Sequence, residues 1–417
     1  MSVLTSPIDI LVLGGGGREH ALCWKLRQSP LTGRLLCAPG NAGIAAVADC
    51  VDLAITDPAA VTEYAGANGI GLVVVGPEDP LVAGVVDALR AAGIPAFGPT
   101  AAAAQLEGSK GFTKDLCRAA GIPTAGYRRF ASAADAHHYV AVHPLPVVVK
   151  ADGLAAGKGV TVADSNEEGL AALADIHGAV VIEEALSGPE ASLFVLTDGK
   201  TISVWPSAQD HKRAFDGDTG PNTGGMGVIS PAPRLTPALQ ARALAEIIEP
   251  TLAAMAAAGT PYTGVLYAGL MLTADGPKLI EYNCRFGDPE AQALMLRLDS
   301  DLAEILFACA TGQLAEVAVN WSPETAVTIV YASMGYPLKP ITGTIVDNVE
   351  AAEALGVQVF HAGTKRRADG ALVAAGGRVL AISALGHDIS EARALAYAAI
   401  RKIRWHGGYF RRDIGKA

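Results

Sequence analysis

Charge is scarce in this chain. Asp, Glu, Lys and Arg make up 18% of its 417 residues, and 42 acids outnumber 32 bases for a formal net charge of −10. A duplex-binding face needs clustered Lys and Arg to displace counterions from phosphates. No nucleic-acid partner is therefore expected, although a small anionic substrate held by a few local cations remains compatible. Cysteine is scarcer still. Six are scattered (Cys23, Cys37, Cys50, Cys117, Cys284 and Cys309) without a CxxC pair, which fits neither a zinc cluster nor a disulfide framework and points to reduced thiols. No apolar run approaches the roughly 20 residues of a membrane span. The opening "MSVLTSPIDILVLGGGG" has no basic stretch ahead of its first apolar run. The expectation is a soluble cytoplasmic protein with no membrane partner.

Apolar residues are plentiful at 50%, ample for a sizeable core, and the length predicts two to four domains. Residues 1–103 alternate strands and helices: "IDILVLG", then "REHALCWKLRQS", "GRLLCAPG", "GLVVVGPE", the helix "LVAGVVDALRAAG" and "IPAFGP". That pattern predicts an α/β domain with a doubly wound parallel sheet and a ligand at its strand-end loops. From about residue 127 to 190 the texture changes to short paired strands around "KADGLAAGKGV", predicting a small α+β lid lobe. Residues 104–126 and 191–325 form a central lobe, and 326–417 a strand-rich C-terminal module with one helix, "ISEARALAYAAIRKI".

The glycine stretch at residues 150–160 is built for phosphate but is not a Walker loop. Three residues instead of four separate Gly153 from Gly157, and Lys158 is followed by Gly159 where a hydroxyl should hold magnesium. A strand–glycine loop–strand hairpin can instead fold over phosphates as a flap whose bare N–H groups reach the oxygens, with Lys150 supplying a fixed cation. The plain alternative is an exposed, flexible hairpin. The N-terminal "GGGGREH" departs from the dinucleotide fingerprint, having Glu19 at the third glycine and no acid after the second strand. It reads as a tight strand-to-helix turn or, preferably, an anion site formed by backbone N–H groups and Arg18.

In "KLIEYNCRFGDPE", Glu281 and Asn283 lie two apart on a strand and so share a face, with Arg285 expected beside them. A carboxylate and an amide oxygen are hard ligands suited to Mg²⁺, and the arginine could offset charge on a phosphoryl group. The polar stretch "SAQDHKRAFDGDTGPNTGGMG", residues 207–227, would be costly to order without a ligand. His211 within it is read as a loop-positioning residue.

Taken together, "LVLGGGGREHAL", "APGNAG", "VGPEDPLVAGVVD", "QLEGSK", "KADGLAAGKGV", "QDHKR", "DTGPNTGGMG", "IEYNCRFGDPE" and "FRRDIG" closely resemble the phosphoribosylamine–glycine ligase family of ATP-grasp enzymes, in order along nearly the whole chain. The resemblance implies ATP with Mg²⁺ or Mn²⁺ as cofactors, and glycine and 5-phosphoribosylamine as substrates, joined through an acyl phosphate. For ATP it implies Lys110 and Lys150 on the phosphates and Gly157, Lys158 and Gly159 in the flap. Glu183, Glu184 and Leu186 fall at the adenine hinge, and Glu190 on the ribose. Glu281 and Asn283 match the metal positions, and Arg285, Lys212 and Asp210 the catalytic ones. Gly15, Gly17, Asn41 and the turn Gly76, Pro77, Glu78, Asp79 and Pro80 are implied for the phosphoribosylamine. Asn222, Thr223, Gly224 and Gly225 are implied to close over glycine. A monomer is favoured.

Two departures from the family stand out: a shortened loop before Val180, and a strand "YAGLML" without the further metal carboxylate that many ATP-grasp enzymes carry. The second implies metal binding that depends on nucleotide. Rival readings are another purine-pathway ATP-grasp ligase, a nucleotide-binding module without turnover and, more remotely, a NAD-dependent oxidoreductase.

Overall fold

The computed structural model describes residues 3–154 and 159–416. At the N-terminus five parallel strands stand in the order Asp49–Cys50, Thr32–Pro39, Ile8–Gly14, Leu72–Val75 and Ala96–Phe97. The chain order reverses at Ile8–Gly14, so the crevice at its carboxyl end is the switch point where open α/β sheets bind ligands. The run expected as one helix from residue 81 to 93 is instead two, Glu78–Val82 and Val85–Ala91, because Gly84 turns left-handed between them.

The central lobe is an antiparallel sheet carrying Glu190–Thr197 against Gly264–Thr273, which in turn pairs Gly276–Asn283. Its core is continuous with that of the N-terminal sheet: Leu11, Val73, Leu193, Leu266 and Leu279 belong to one buried cluster. The lid is a four-stranded antiparallel sheet in which Val147–Ala151 pairs both Val160–Ala163 and Val180–Glu184. It buries a separate cluster, including Val140, Val147, Leu173 and Ile182, under the helices Ala133–Val142 and Asn166–Ala174.

The C-terminal module is built around Thr325–Ser333 and Arg378–Gly386. Its sheet also recruits Gln209–Asp210 and Gly227–Ser230, so the stretch at 207–227 is structurally part of this module. Beside the expected helix, Ile389–Ile400, it contains the short Val349–Glu353. Among the described residues no helix is long and apolar enough to cross a membrane.

Candidate active site

A cavity of about 1260 Å³ opens where the N-terminal domain, central lobe, lid and C-terminal module meet. One wall starts at Ser109. This serine caps the helix Lys110–Ala120, accepting from Phe112 N–H at 3.0 Å, and its hydroxyl donates to Asp152 at 3.0 Å. The cap fixes Lys110 in the first turn, where its Nζ donates to Gly153 O at 2.8 Å and lies next to the glycine hairpin. One turn on, Lys114 points to the same side. Glu183 lies between Lys114 and Lys150, 2.8 Å from one ammonium and 2.9 Å from the other, with all three side chains 5% exposed or less. Alternation along Val180–Glu184 sends Glu183 inward and Glu184 outward. Glu183 is thus the counter-ion of the lysine pair, not a free hinge group, while Glu184 accepts from Gly126 N–H at 2.9 Å at the edge of the lid. Leu186, Gly159 and Glu190 also border the cavity. Gly157 and Lys158 lie outside the described residues.

Opposite stands the strand Gly276–Asn283, which bulges at Ile280: Leu279 faces Leu270 and Glu281 faces Gly269. Such bulges re-aim side chains next to active sites. Glu281 and Asn283 both border the cavity. Burial alone would raise the Glu281 carboxyl, but Lys212, then Lys150, Lys110 and Arg285, outweigh it and hold its pKa below the usual range. Lys212 Nζ lies 3.1 Å from Glu190 and 3.8 Å from Glu281. Burial opposes its charge, yet Glu190 and Glu281 lift its pKa well above normal. Among the described residues no group of three or more His, Cys, Asp or Glu side chains is placed to hold a metal. Glu281 and Asn283 supply a carboxylate and an amide oxygen, hard donors of the kind that could hold a divalent ion.

Arg285 lies past the strand end, not on it. Its Nε donates to Glu78 at 3.0 Å and its Nη2 meets Glu107 at 2.9 Å, so one guanidinium ties the N-terminal turn and the short helix Gln105–Gly108 to the end of the strand Gly276–Asn283. Of the N-terminal residues implied for the substrate, Pro77 and Glu78 border the cavity, as does Arg18. The others form the frame behind. Asn41 spends its amide on Gly15 O and His361 O, both 2.9 Å, and its oxygen on Gly43 and Ile44 N–H. A side-chain atom at Gly15 would fall 2.6 Å from Gly40 O, and one at Gly17 2.5 Å from Gln292 Nε2. Gly76 packs as closely on Glu19, Pro80 is buried and Asp79 exposed on the first turn of Glu78–Val82.

The expected anion cradle is already bonded to protein. Arg18 N–H donates to Asp288 at 3.3 Å, Gly16 N–H to Glu19 at 2.6 Å, and the Arg18 guanidinium to Glu19 and to Phe286 O. The turn "GDPE" delivers Asp288 to the Arg18 N–H at this helix start, and Glu19 takes the Gly16 N–H.

The polar stretch is ordered by the protein itself, contrary to the expectation that ordering needs a ligand. Arg213–Phe215 pairs Thr219–Asn222, and Asp210 and His211 bond back to Gly227 and its neighbours. Asn222, Thr223 and Gly224 border the cavity, whereas Gly225 (φ +110°) packs against Asp210 and Pro289, with no room for a side chain. Burial lowers the His211 imidazole pKa, consistent with a positioning role. Asp210 is pushed well above the carboxylate range, first by burial and then by Glu290. Glu290 in turn accepts from Tyr267 OH at 2.8 Å.

Sequence reasoning gave no role to Lys114, Glu107, Glu290 or Arg378, all of which line the cavity. Lys114 was findable, being four residues from Lys110 on a capped helix. Arg378 enters from the C-terminal sheet to bond Gly224 O and Asp288, and nothing local in the sequence announces it.

Comparison with known proteins covers almost the whole chain. Models of the phosphoribosylglycinamide synthetase N domain, ATP-grasp (A) domain and C domain match residues 8–107, 108–291 and 326–417. The chain is 56% identical over 417 residues to the phosphoribosylamine–glycine ligase of Agrobacterium fabrum, covering 98% of each. It is 53% identical over 414 residues to the chloroplastic ligase of Arabidopsis thaliana, covering 95% of this chain and 78% of that protein. A crystal structure of the Thermotoga maritima phosphoribosylamine–glycine ligase superposes with a TM-score of 0.85 at 31% identity, covering 98% of this chain and all of that one. Thermotoga maritima N5-carboxyaminoimidazole ribonucleotide synthetase shares the fold, with a TM-score of 0.64 at 16% identity.

Proposed function

The chain belongs to the phosphoribosylglycinamide synthetase family, and from that premise we propose how its cavity carries out the family's reaction. The enzyme is a ligase that makes glycinamide ribonucleotide from glycine and 5-phospho-β-D-ribosylamine, with ATP converted to ADP and phosphate. The observation that carries the assignment of parts is the convergence of Lys110, Lys150, Lys212, Arg285, Glu281 and Asn283 on one cavity.

A carboxylate resists amide formation because its leaving group would be oxide. A glycine carboxylate oxygen therefore attacks the γ-phosphorus while the bond to the β-phosphate bridging oxygen breaks and ADP leaves. The ribosylamine nitrogen then attacks the acyl carbon of the glycyl phosphate, phosphate departs and the nitrogen loses a proton. Such chemistry rests on positioning and charge neutralisation. Lys110 and Lys150 bind the phosphates with Gly159 beside them, a role the family resemblance also implies for Gly157 and Lys158, which lie outside the described residues. Glu184 and Leu186 frame the base, and Glu190 the ribose. Glu281 and Asn283 would hold Mg²⁺ or Mn²⁺, whose charge neutralises phosphate oxygens.

Arg285 and Lys212 face the transferred group. Pro77 and Glu78 meet the ribosylamine, with Gly15, Gly17, Asn41, Gly76, Asp79 and Pro80 shaping the frame. Asn222, Thr223 and Gly224 cover glycine, with Asp210 and Gly225 beneath them. The setting inferred is cytoplasmic and the state a monomer, and the six cysteines are free thiols. ADP release measured with each substrate omitted in turn tests the assignment: ADP formation must require glycine, and amide formation must require the ribosylamine. ADP formation indifferent to glycine would sink it.

A further inference from the structure

The motif "FRRDIG" near the C-terminus has no part in the reaction as described, yet Arg411, Asp413 and Lys416 border the same cavity. Arg411 is 3% exposed and almost every donor it has is engaged. Its Nε and Nη2 grip both oxygens of Asp413 at 2.8 Å, while its Nη1 donates to Arg213 O and Asp218 Oδ1, each at 3.0 Å. Asp413 also accepts from Gly217 N–H at 2.8 Å, and Arg412 N–H donates to Asp216 at 2.6 Å. Four residues of the hairpin spanning 213–222 are thus held by three consecutive tail residues almost 200 positions away. The tail is itself anchored to the helix Ile389–Ile400. Tyr397 OH donates to Arg411 O at 2.7 Å, and Arg393 donates to Ile414 O and Arg412 O.

Beyond the tail, the hairpin is held by its own strand pairing, by Thr223 N–H on Lys212 O at 2.8 Å and by the Phe215–Tyr409 ring contact, while Gly224 meets Tyr336 OH and Arg378. The hairpin's register slips between Arg213 and Phe215, Phe215 is half exposed, and Asp218 takes a left-handed conformation (φ 58°) that Asp tolerates better than most residues. Yet this hairpin leads directly into Asn222, Thr223 and Gly224. A planar arginine fork that binds a carboxylate with two parallel bonds fixes geometry in a way a lysine point charge does not.

We propose that the tail at 411–413 is a clasp, with Arg411 as a positioning residue. Through the hairpin it sets the turn at 222–224 that seals the reactive acyl phosphate from water. This rests on the reading that the turn covers glycine. A loosened turn would let water, in place of the amine, attack the acyl carbon, releasing free glycine and phosphate.

The test compares full-length Arg411→Lys, Asp413→Asn and the exposed neighbour Arg412→Ala, measuring phosphate released per glycinamide ribonucleotide formed alongside KM for each substrate. Expected for Arg411→Lys and Asp413→Asn are a phosphate-to-amide ratio rising from one to several and a KM for glycine up by about tenfold. KM for ATP should change less than about twofold, and Arg412→Ala should match the wild type. A ratio that stays at one in both clasp variants overturns the proposal, including when activity falls uniformly, as a purely structural role would produce. The underlying reading fails separately: Asn222→Ala leaving both KM for glycine and the ratio untouched would show that the turn does not cover glycine. Faster proteolysis within 213–222 is expected in Arg411→Lys alongside the raised ratio, and unchanged proteolysis would count against the clasp.

Discussion

Glu183 carries the greatest electrostatic weight for its size. Its carboxylate lies 3% exposed between two ammonium groups, so Glu183→Gln leaves two buried like charges facing each other. Removing one partner of a buried ionic group costs about 3–5 kcal/mol. A loss of that order in unfolding free energy is expected by denaturant titration, larger than for a surface Glu→Gln change such as Glu167→Gln. Lys150→Met has a different signature. It leaves the Glu183–Lys114 pair intact but takes a fixed cation from the phosphates, so kcat/KM for ATP should fall about 10²–10³-fold. A value within threefold of wild type would place the phosphates elsewhere. That Lys150, Glu281 and Asn283 face the cavity was legible because each sits in a strand whose period of two fixes its face. The partners of Lys150 and Arg285 were not, since Glu183, Glu78 and Glu107 reach them across folded distance. Asn41 shows the converse: its motif is visible in sequence, but only its side-chain bonds reveal that it braces the loop.

Among elements, the helix Gly17–Arg27 and the strand Gln358–His361 meet through a pair of neutral histidines. His361 N–H donates to His20 Nδ1 at 2.7 Å, and the rings lie 5.6 Å apart. Burial, and then the neighbouring His361, lowers the His20 pKa from 6.5 to about 3; burial, and then Arg366, lowers that of His361 to about 4. Below pH 6.5 the unfolded chain takes up protons that the folded chain refuses until pH 3–4. The stabilisation is therefore fully present above pH 6.5 and is lost as pH falls through that window. The slope reaches at most about 1.4 kcal/mol per pH unit for each histidine. His20→Asn keeps an acceptor for His361 N–H but cannot titrate, so its stability should fall less steeply from pH 6.5 to 4.5 than the wild type's. Parallel curves would remove this pair from the acid response. Element types in the N-terminal domain followed from clean apolar alternation. The break at Gly84 and the hairpin within 207–227 did not, because one depends on a single backbone dihedral and the other on a tail far along the chain.

At the scale of the molecule, the four units do not hold one another equally. The N-terminal sheet and central lobe share one buried cluster, whereas the lid encloses its own. What joins the lid to the helix Lys110–Ala120 and its cap is polar: Lys114 to Glu183, Lys110 to Gly153 O, and Ser109 to Asp152. Polar contacts beside a wide cavity exchange readily with water, while a shared apolar core does not, so the lid is the unit free to swing. A triphosphate bound between Lys110 and Lys150 would bridge the two sides and favour the closed arrangement, since a ligand shifts an equilibrium by its differential affinity for the two states. Hydrogen exchange of the full-length enzyme should therefore slow about tenfold or more across residues 147–163 and 180–190 when a non-hydrolysable ATP analogue and Mg²⁺ are added. The sheet formed by Thr325–Ser333 and Arg378–Gly386 should exchange as before. Protection appearing instead in the first hundred residues would put the nucleotide at the N-terminal switch point and transfer the phosphate role from the lid to that crevice.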